Sequence, residues 1–205
     1  MAFIMASSRE EFLSILQERL VKLVEPEQKD SIIRFSEQFF GIVALEELLA
    51  RYDTDLLGCT LSFWRFLQQY DGPGEKLRVF NPDTQQHGWQ STHSVVEILH
   101  LDSPFLVDSV RMELNRQGYA IHTLQNSVLA LKRSGKGELE RVLPPHSEES
   151  GVQHESIMYI EIDRCGSAAE LKRLAESLQG VLSHVRAAVS DFGAMREQAE
   201  AVIKG

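Results

Sequence analysis

The stretch HGWQSTHSVVEILHLDSPFLVDSVRMELNRQGYAI, residues 87–121, decides the fold of this chain. Its aliphatic, β-branched run Val95–Leu99 predicts a short buried strand. Asp102–Pro104 then predicts a helix start, because it offers capping side chains followed by a proline at the first helical position. Apolar residues continue at helical spacing as far as Gly118, where the chain becomes extended again. The stretch therefore predicts a strand–helix–strand unit of an α+β regulatory module, and nothing in it predicts catalysis.

Residues 1–72 carry helical patterns only. Ser8 precedes two glutamates in a capping-box pattern, and apolar side chains follow at helical spacing. Pro26 separates the first helix from the second, and Asp53 or Thr54 is expected to cap a third. We therefore expect a small N-terminal helical bundle with an aromatic-rich core.

Residues 76–190 alternate strand and helix patterns after the turn signal Asp71–Gly74. Ser134–Gly137 joins two extended segments as a hairpin, and alternation over Met158–Ile162 predicts a half-buried strand. An apolar face over Leu171–Val189 then predicts a long helix. Together these patterns predict a second, α+β region.

The composition excludes several classes of function. A net charge of −9 argues against a nucleic-acid or anionic-membrane partner. Cys59 and Cys165 are far apart and form no CxxC motif, so we expect buried free thiols. The opening MAFIM is too short an apolar run for a signal peptide, and no stretch approaches the roughly 20 apolar residues of a membrane span. These features predict a cytoplasmic protein.

Several unusual sequence segments of this chain occur in an order that resembles a known family. The chain resembles the N-terminal region of the very large NAD-specific glutamate dehydrogenases of bacteria over about residues 76–192. The segments that carry the resemblance are RVFNP (78–82), HGWQSTHSVVEI (87–98), DSPFLVDSVRMELNRQG (102–118), SIMYIEIDR (156–164) and SHVRAAVSDF (183–192). Residues 1–75 resemble the family more loosely, mainly in LLGCTLSFWRFLQQ (56–69).

The resemblance implies an ACT-like domain, a ferredoxin-like βαββαβ antiparallel sheet with helices on one face. Five of the six elements have sequence patterns between His93 and Ser190, but no strand pattern follows the second helix. Lys76–Phe80 or a partner chain can supply the sixth strand, or the strand can be missing. We assign residues 191–205 to the start of a further helix or to a linker.

The first strand–helix turn is where the resemblance places an effector or interface site. Amino-acid-binding ACT modules carry a DxPGL-like sequence there, and its glycine lets the backbone approach the ligand carboxylate. This chain reads DSPFL, so Asp102, Ser103, Phe105 and Leu106 are the candidate residues, with Phe105 in place of the glycine. We expect Asp102 and Ser103 to act as caps and Phe105 to be a core or interface aromatic, because its bulk blocks a ligand.

The sequence contains no catalytic, cofactor-binding or metal-binding motif. Its histidines show no HxxxH or HExxH spacing, and no GxGxxG or GxxxxGK[ST] motif occurs. NAD is expected as the cofactor of the parent enzyme and not of this chain. We therefore predict a non-catalytic assembly or regulatory region whose partners are the remainder of the parent polypeptide and a second copy. The alternative is an ACT module that senses an amino-acid effector.

Overall fold

A five-stranded antiparallel sheet with helices on both faces forms the protein, in a computed structural model that describes residues 3–72 and 74–204 and side chains as far as residue 190. Pro73 of the predicted turn lies outside the described residues. The elements in chain order are α1 (Arg9–Leu20), a 3-10 turn (Pro26–Gln28), α2 (Lys29–Phe39), α3 (Leu45–Leu49), α4 (Asp53–Leu67), β1 (Lys76–Phe80), α5 (Thr84–His87), β2 (Ser94–Leu101), α6 (Leu106–Arg116), β3 (Ile121–Arg133), β4 (Leu139–Leu143), β5 (Val152–Ile162) and α7 (Ala168–Lys204).

The strand order β1-β2-β5-β3-β4 shows which segment completes the ACT-like sheet. Strand β1 pairs antiparallel with β2, with Lys76 opposite Leu99 and Phe80 opposite Val95. The sixth element therefore comes from the segment that precedes the domain's first strand, which was one of the three options that the sequence left open. The predicted hairpin is also present and adds β4 to the edge of β3 as an extra strand.

The two faces of the sheet have different coverings. Alternate residues of β2, such as Val96 and Ile98, pack with α6 and α7, as the predicted ACT-like fold requires. The intervening residues Val95 and Leu99 belong to a second core with the N-terminal helices. The α+β ACT-like fold is therefore confirmed, and the helical region adds a layer on the opposite face that the sequence patterns did not indicate.

Two helices start differently in the N-terminal region. Ser8 caps α1 by accepting the backbone N–H of Glu11 at 3.2 Å, as the capping-box pattern predicts. The N-cap of α4 is instead Tyr52, so the prediction of Asp53 or Thr54 is wrong. Asp53 is the first residue of α4, and its carboxylate accepts a hydrogen bond from the guanidinium of Arg19 in α1 at 2.7 Å.

The last helix is longer than its apolar pattern indicated. The buried side chains Leu174, Leu178 and Leu182 hold α7 against the sheet, as predicted. The helix continues without a break from Ala168 to Lys204, so residues 191–204 extend α7 and do not start a further helix. No proline occurs after Pro145, so no residue of α7 lacks the backbone N–H that a helix needs.

Candidate functional site

The turn between β2 and α6 does not have the capping geometry that its sequence predicted. The backbone N–H of Asp102 donates to the carbonyl of His154 at 2.9 Å, so the chain stays extended beside β5. The Ser103 hydroxyl donates a hydrogen bond to the carbonyl of Pro104, at 3.4 Å. Helix α6 begins at Leu106 with no side-chain cap, so the expected capping by Asp102 and Ser103 is wrong. The extended pairing of Asp102 explains the difference, because it delays the start of the helix.

Phe105 has the backbone conformation of a glycine. Its φ and ψ are 69° and −1°, in the left-handed region, and its side chain is 71% exposed. This conformation costs a residue with a Cβ roughly 1–2 kcal/mol. The expectation of a core aromatic is therefore wrong, whereas an interface role stays a prediction. Leu106, the first residue of α6, is only 2% exposed and belongs to the core.

A second exposed apolar side chain lies on α6. Met112 is 70% exposed and stands seven residues after Phe105. Between these two residues, Arg111 and Asp108 form an exposed ion pair at 2.9 Å. We call Phe105 and Met112 the α6 stripe. Sequence periodicity could not identify it, because Met112 lies outside the helix's apolar face.

The turn also borders a cavity of about 480 Å³, which we call the turn cavity. Asp102 and Ser103 line it from the turn, and Arg186 lines it from α7. His100 also lines the cavity. Its Nδ1 lies 2.6 Å from the carbonyl oxygen of Leu101, and this nitrogen must carry a proton to donate a hydrogen bond there. Its Nε2 is buried and has no hydrogen-bond partner among the described residues. Arg186 also forms an ion pair with Glu75 at 3.3 Å, and its remaining N–H groups can bind a small polar ligand in this cavity.

Sequence reasoning missed His100 and Arg186 as site residues. The available signal was a histidine that ends an apolar strand immediately before a turn. Such a position is buried yet next to solvent, which favours a polar contact. Arg186 gave no signal, because its approach to the turn depends on how α7 packs.

Three buried arginine–glutamate pairs lie on the sheet face that the N-terminal helices cover. The shortest distances within them are 2.7, 2.5 and 2.6 Å for Arg51–Glu161, Arg78–Glu97 and Arg133–Glu155, respectively. Burial raises the pKa of Glu97 to about 7, although Arg78 opposes this effect. Sequence patterns did not indicate Glu161, because alternation over Met158–Ile162 predicts a half-buried strand with Glu161 on its exposed side. That prediction is wrong, since both faces of β5 are buried.

Among the described residues, no group of three histidine, cysteine or acidic side chains could hold a metal ion. Cys59 and Cys165 are buried free thiols, as predicted. The same part of the chain has no helix that is both long enough and apolar enough for a membrane span.

Comparisons with known proteins identify relatives of this chain. Residues 35–178 match the family model described as "Glutamate dehydrogenase, ACT1 domain". The chain is 49% identical over 203 residues to an NAD-specific glutamate dehydrogenase of Pseudomonas aeruginosa, an alignment that covers 99% of this chain and 12% of that protein. It is 45% identical over 197 residues to an NAD-specific glutamate dehydrogenase of Halomonas elongata, covering 96% of this chain and 12% of that protein. No solved structure matches the chain.

Proposed function

Because the chain belongs to the glutamate dehydrogenase ACT1 domain family, we propose that it is the non-catalytic N-terminal assembly and regulatory region of an NAD-specific glutamate dehydrogenase. The whole enzyme would convert L-glutamate, NAD and water to 2-oxoglutarate, ammonia and NADH, in the cytoplasm. The chain spans only 12% of the curated relatives' length, which leaves ample sequence for NAD binding and catalysis elsewhere. All described strand pairs are antiparallel, whereas a nicotinamide-binding βαβ unit needs parallel strands.

A direct assay tests the non-catalytic part of this proposal. The purified 205-residue chain is expected to form no NADH from glutamate and NAD. Absorbance at the NADH band over a long incubation measures this, with an intact NAD-specific glutamate dehydrogenase as the positive control. NADH formation that depends on this chain would contradict the proposal.

The α6 stripe is the observation that best supports an assembly role. Phe105 combines a left-handed backbone with a 71% exposed ring, which favours a contact outside the chain. We propose that a second copy or another part of the parent polypeptide covers Phe105 and Met112.

Light scattering tests the self-association part. We expect concentration-dependent association of the wild type and its loss in the double variant Phe105→Ser, Met112→Ser. Ile42→Ser is the matched control, because Ile42 is 64% exposed and lies away from α6. A wild type that stays monomeric at high concentration would contradict self-association.

The turn cavity favours a second candidate function, the sensing of an amino-acid effector. Arg186 pairs with Glu75 at 3.3 Å through Nη1, and its other N–H groups can bind a ligand carboxylate. A thermal-shift screen with amino acids tests this function. The expected shift should disappear in Arg186→Gln, and a shift that survives this substitution would contradict the site.

A further inference from the structure

A second cavity, of about 550 Å³, lies between the α3–α4 junction and the end of β5, and no function has been assigned to it. We call it the charged cavity. Its chemistry-bearing wall residues are Arg51 and Asp55 from the helical region, Asp83 and Gln90 from the segment before β2, and Glu161 and Arg164 from the end of β5. The Asp83 carboxylate accepts the backbone N–H groups of Gln85 and Gln86 and thereby caps α5. The turn cavity lies at the other end of β2, roughly 25 Å away for a strand of this length.

One wall of the charged cavity is fixed by a buried ion pair. Arg51 donates to Glu161 at 2.7 Å, and the hydroxyl of Tyr159 donates to the same carboxylate oxygen at 2.7 Å. The two charged side chains are only 17% and 8% exposed, respectively. They neutralise each other, so this wall presents an ordered surface without excess charge.

Two further charges on the walls have no such partner. Arg164 donates from Nη1 to the carbonyl of Ser91 at 2.8 Å, which leaves most of its guanidinium N–H groups available. The carboxylate of Asp55 accepts the backbone N–H of Gln90, and its partial burial raises its pKa. Neither Arg164 nor Asp55 forms an ion pair with another described residue.

From this arrangement we infer that the charged cavity binds a small zwitterion, with its carboxylate on Arg164 and its ammonium group on Asp55. A simple anion would meet Asp55 and Asp83 at the walls, and a simple cation would meet Arg164, so each is disfavoured. A molecule that carries both charges satisfies both walls at once. The volume lies within the range of small-molecule sites. Such a ligand would also link α4 to the segment after β5.

Nuclear magnetic resonance on the ¹⁵N-labelled 205-residue chain tests this inference, with the common L-amino acids as probes. At least one probe is expected to shift the amide signals of Gln90, Ser91 and Arg164. Arg164→Gln and Asp55→Asn should each weaken the binding of that probe at least tenfold. Arg186→Gln is the matched control, since Arg186 lines the turn cavity and its loss should leave these shifts unchanged.

Single-charge analogues of the same probe test the chemistry on the unmodified chain. The acid without the ammonium group and the amine without the carboxylate should each bind at least tenfold more weakly than the amino acid. The inference is overturned if no amino acid shifts the Gln90–Arg164 signals, or if either analogue binds as well as the amino acid. It is also overturned if the shifts appear only at Asp102 and Ser103, or if both cavity variants bind normally.

Discussion

Replacing Gly58 with alanine should destabilise the protein, although alanine normally stabilises the interior of a helix. Gly58 lies within α4, and Trp89 from the HGWQ motif packs directly against it. A Cβ at residue 58 would lie 2.2 Å from Cβ and 2.5 Å from Cγ of Trp89. The indole cannot rotate away, because the Cβ of Trp89 is fixed by its own backbone. The substitution must therefore move either α4 or the loop before β2.

The expected size of this effect follows from two opposing contributions. Alanine gains about 1 kcal/mol over glycine in a helix interior. Overpacking of a well-packed core typically costs about 1–3 kcal/mol, and a collision that reaches the backbone belongs near the upper end. Trp89 is only 2% exposed, so its indole is enclosed by the core. We therefore expect Gly58→Ala to lower the free energy of unfolding by about 1–2 kcal/mol.

Urea unfolding, followed by far-ultraviolet circular dichroism, measures this change. The matched control is Gly180→Ala in α7, where a new Cβ would meet nothing within 4 Å. The control should gain about 0.5–1 kcal/mol from helix propensity alone. If Gly58→Ala proves as stable as Gly180→Ala, the close packing of Trp89 on α4 is refuted.

Three further substitutions test the strained turn and the buried charges. Phe105→Gly should raise the free energy of unfolding by about 1 kcal/mol, because it removes left-handed strain and loses little buried area; a loss in urea unfolding would contradict this. Arg133→Gln should cost about 3–5 kcal/mol in the same assay, because it leaves the fully buried Glu155 without a counter-charge. Glu97 has a folded-state pKa of about 7 against an ordinary value of 4.5, so its contribution to stability is full below about pH 4.5 and is lost as the pH rises through 7. Glu97→Gln should therefore flatten the pH dependence of Tm in this window, and an unchanged profile would contradict a raised pKa.

The sequence predicted the elements of this fold well because their signals are local. The period of the apolar residues distinguishes β2 from α6, and the glycines of the hairpin mark the turn between β3 and β4. Strand β1 was also visible as a strand, but its neighbour was not. Pairing between Lys76–Phe80 and β2 depends on contacts across about twenty residues, and local periodicity carries no information on them.

The site was harder to predict, for two physical reasons. The left-handed backbone of Phe105 is typical of glycine, and nothing in a phenylalanine's chemistry indicates it. The pairing of Asp102 with the His154 carbonyl then depends on the length of β5, which begins at Val152. Both cavities also need residues that are distant in sequence, such as Arg186 beside the turn and Arg51 beside the end of β5.

The buried ion pairs explain how the helical layer finds one orientation on the sheet. Apolar burial supplies most of the stability, but it has no direction, so many placements of the helices could bury similar area. Arg133 bonds Glu155 and also the carbonyl of Leu67 in α4, and Arg78 bonds Glu97 and also the carbonyl of Ser62. Both arginines and both glutamates lie on strands of the sheet, so a shifted helical layer would keep these ion pairs but would lose the arginine bonds to the carbonyls of α4. We infer that these bonds serve mainly to fix the placement of α4, and thereby the shape of the charged cavity beside it.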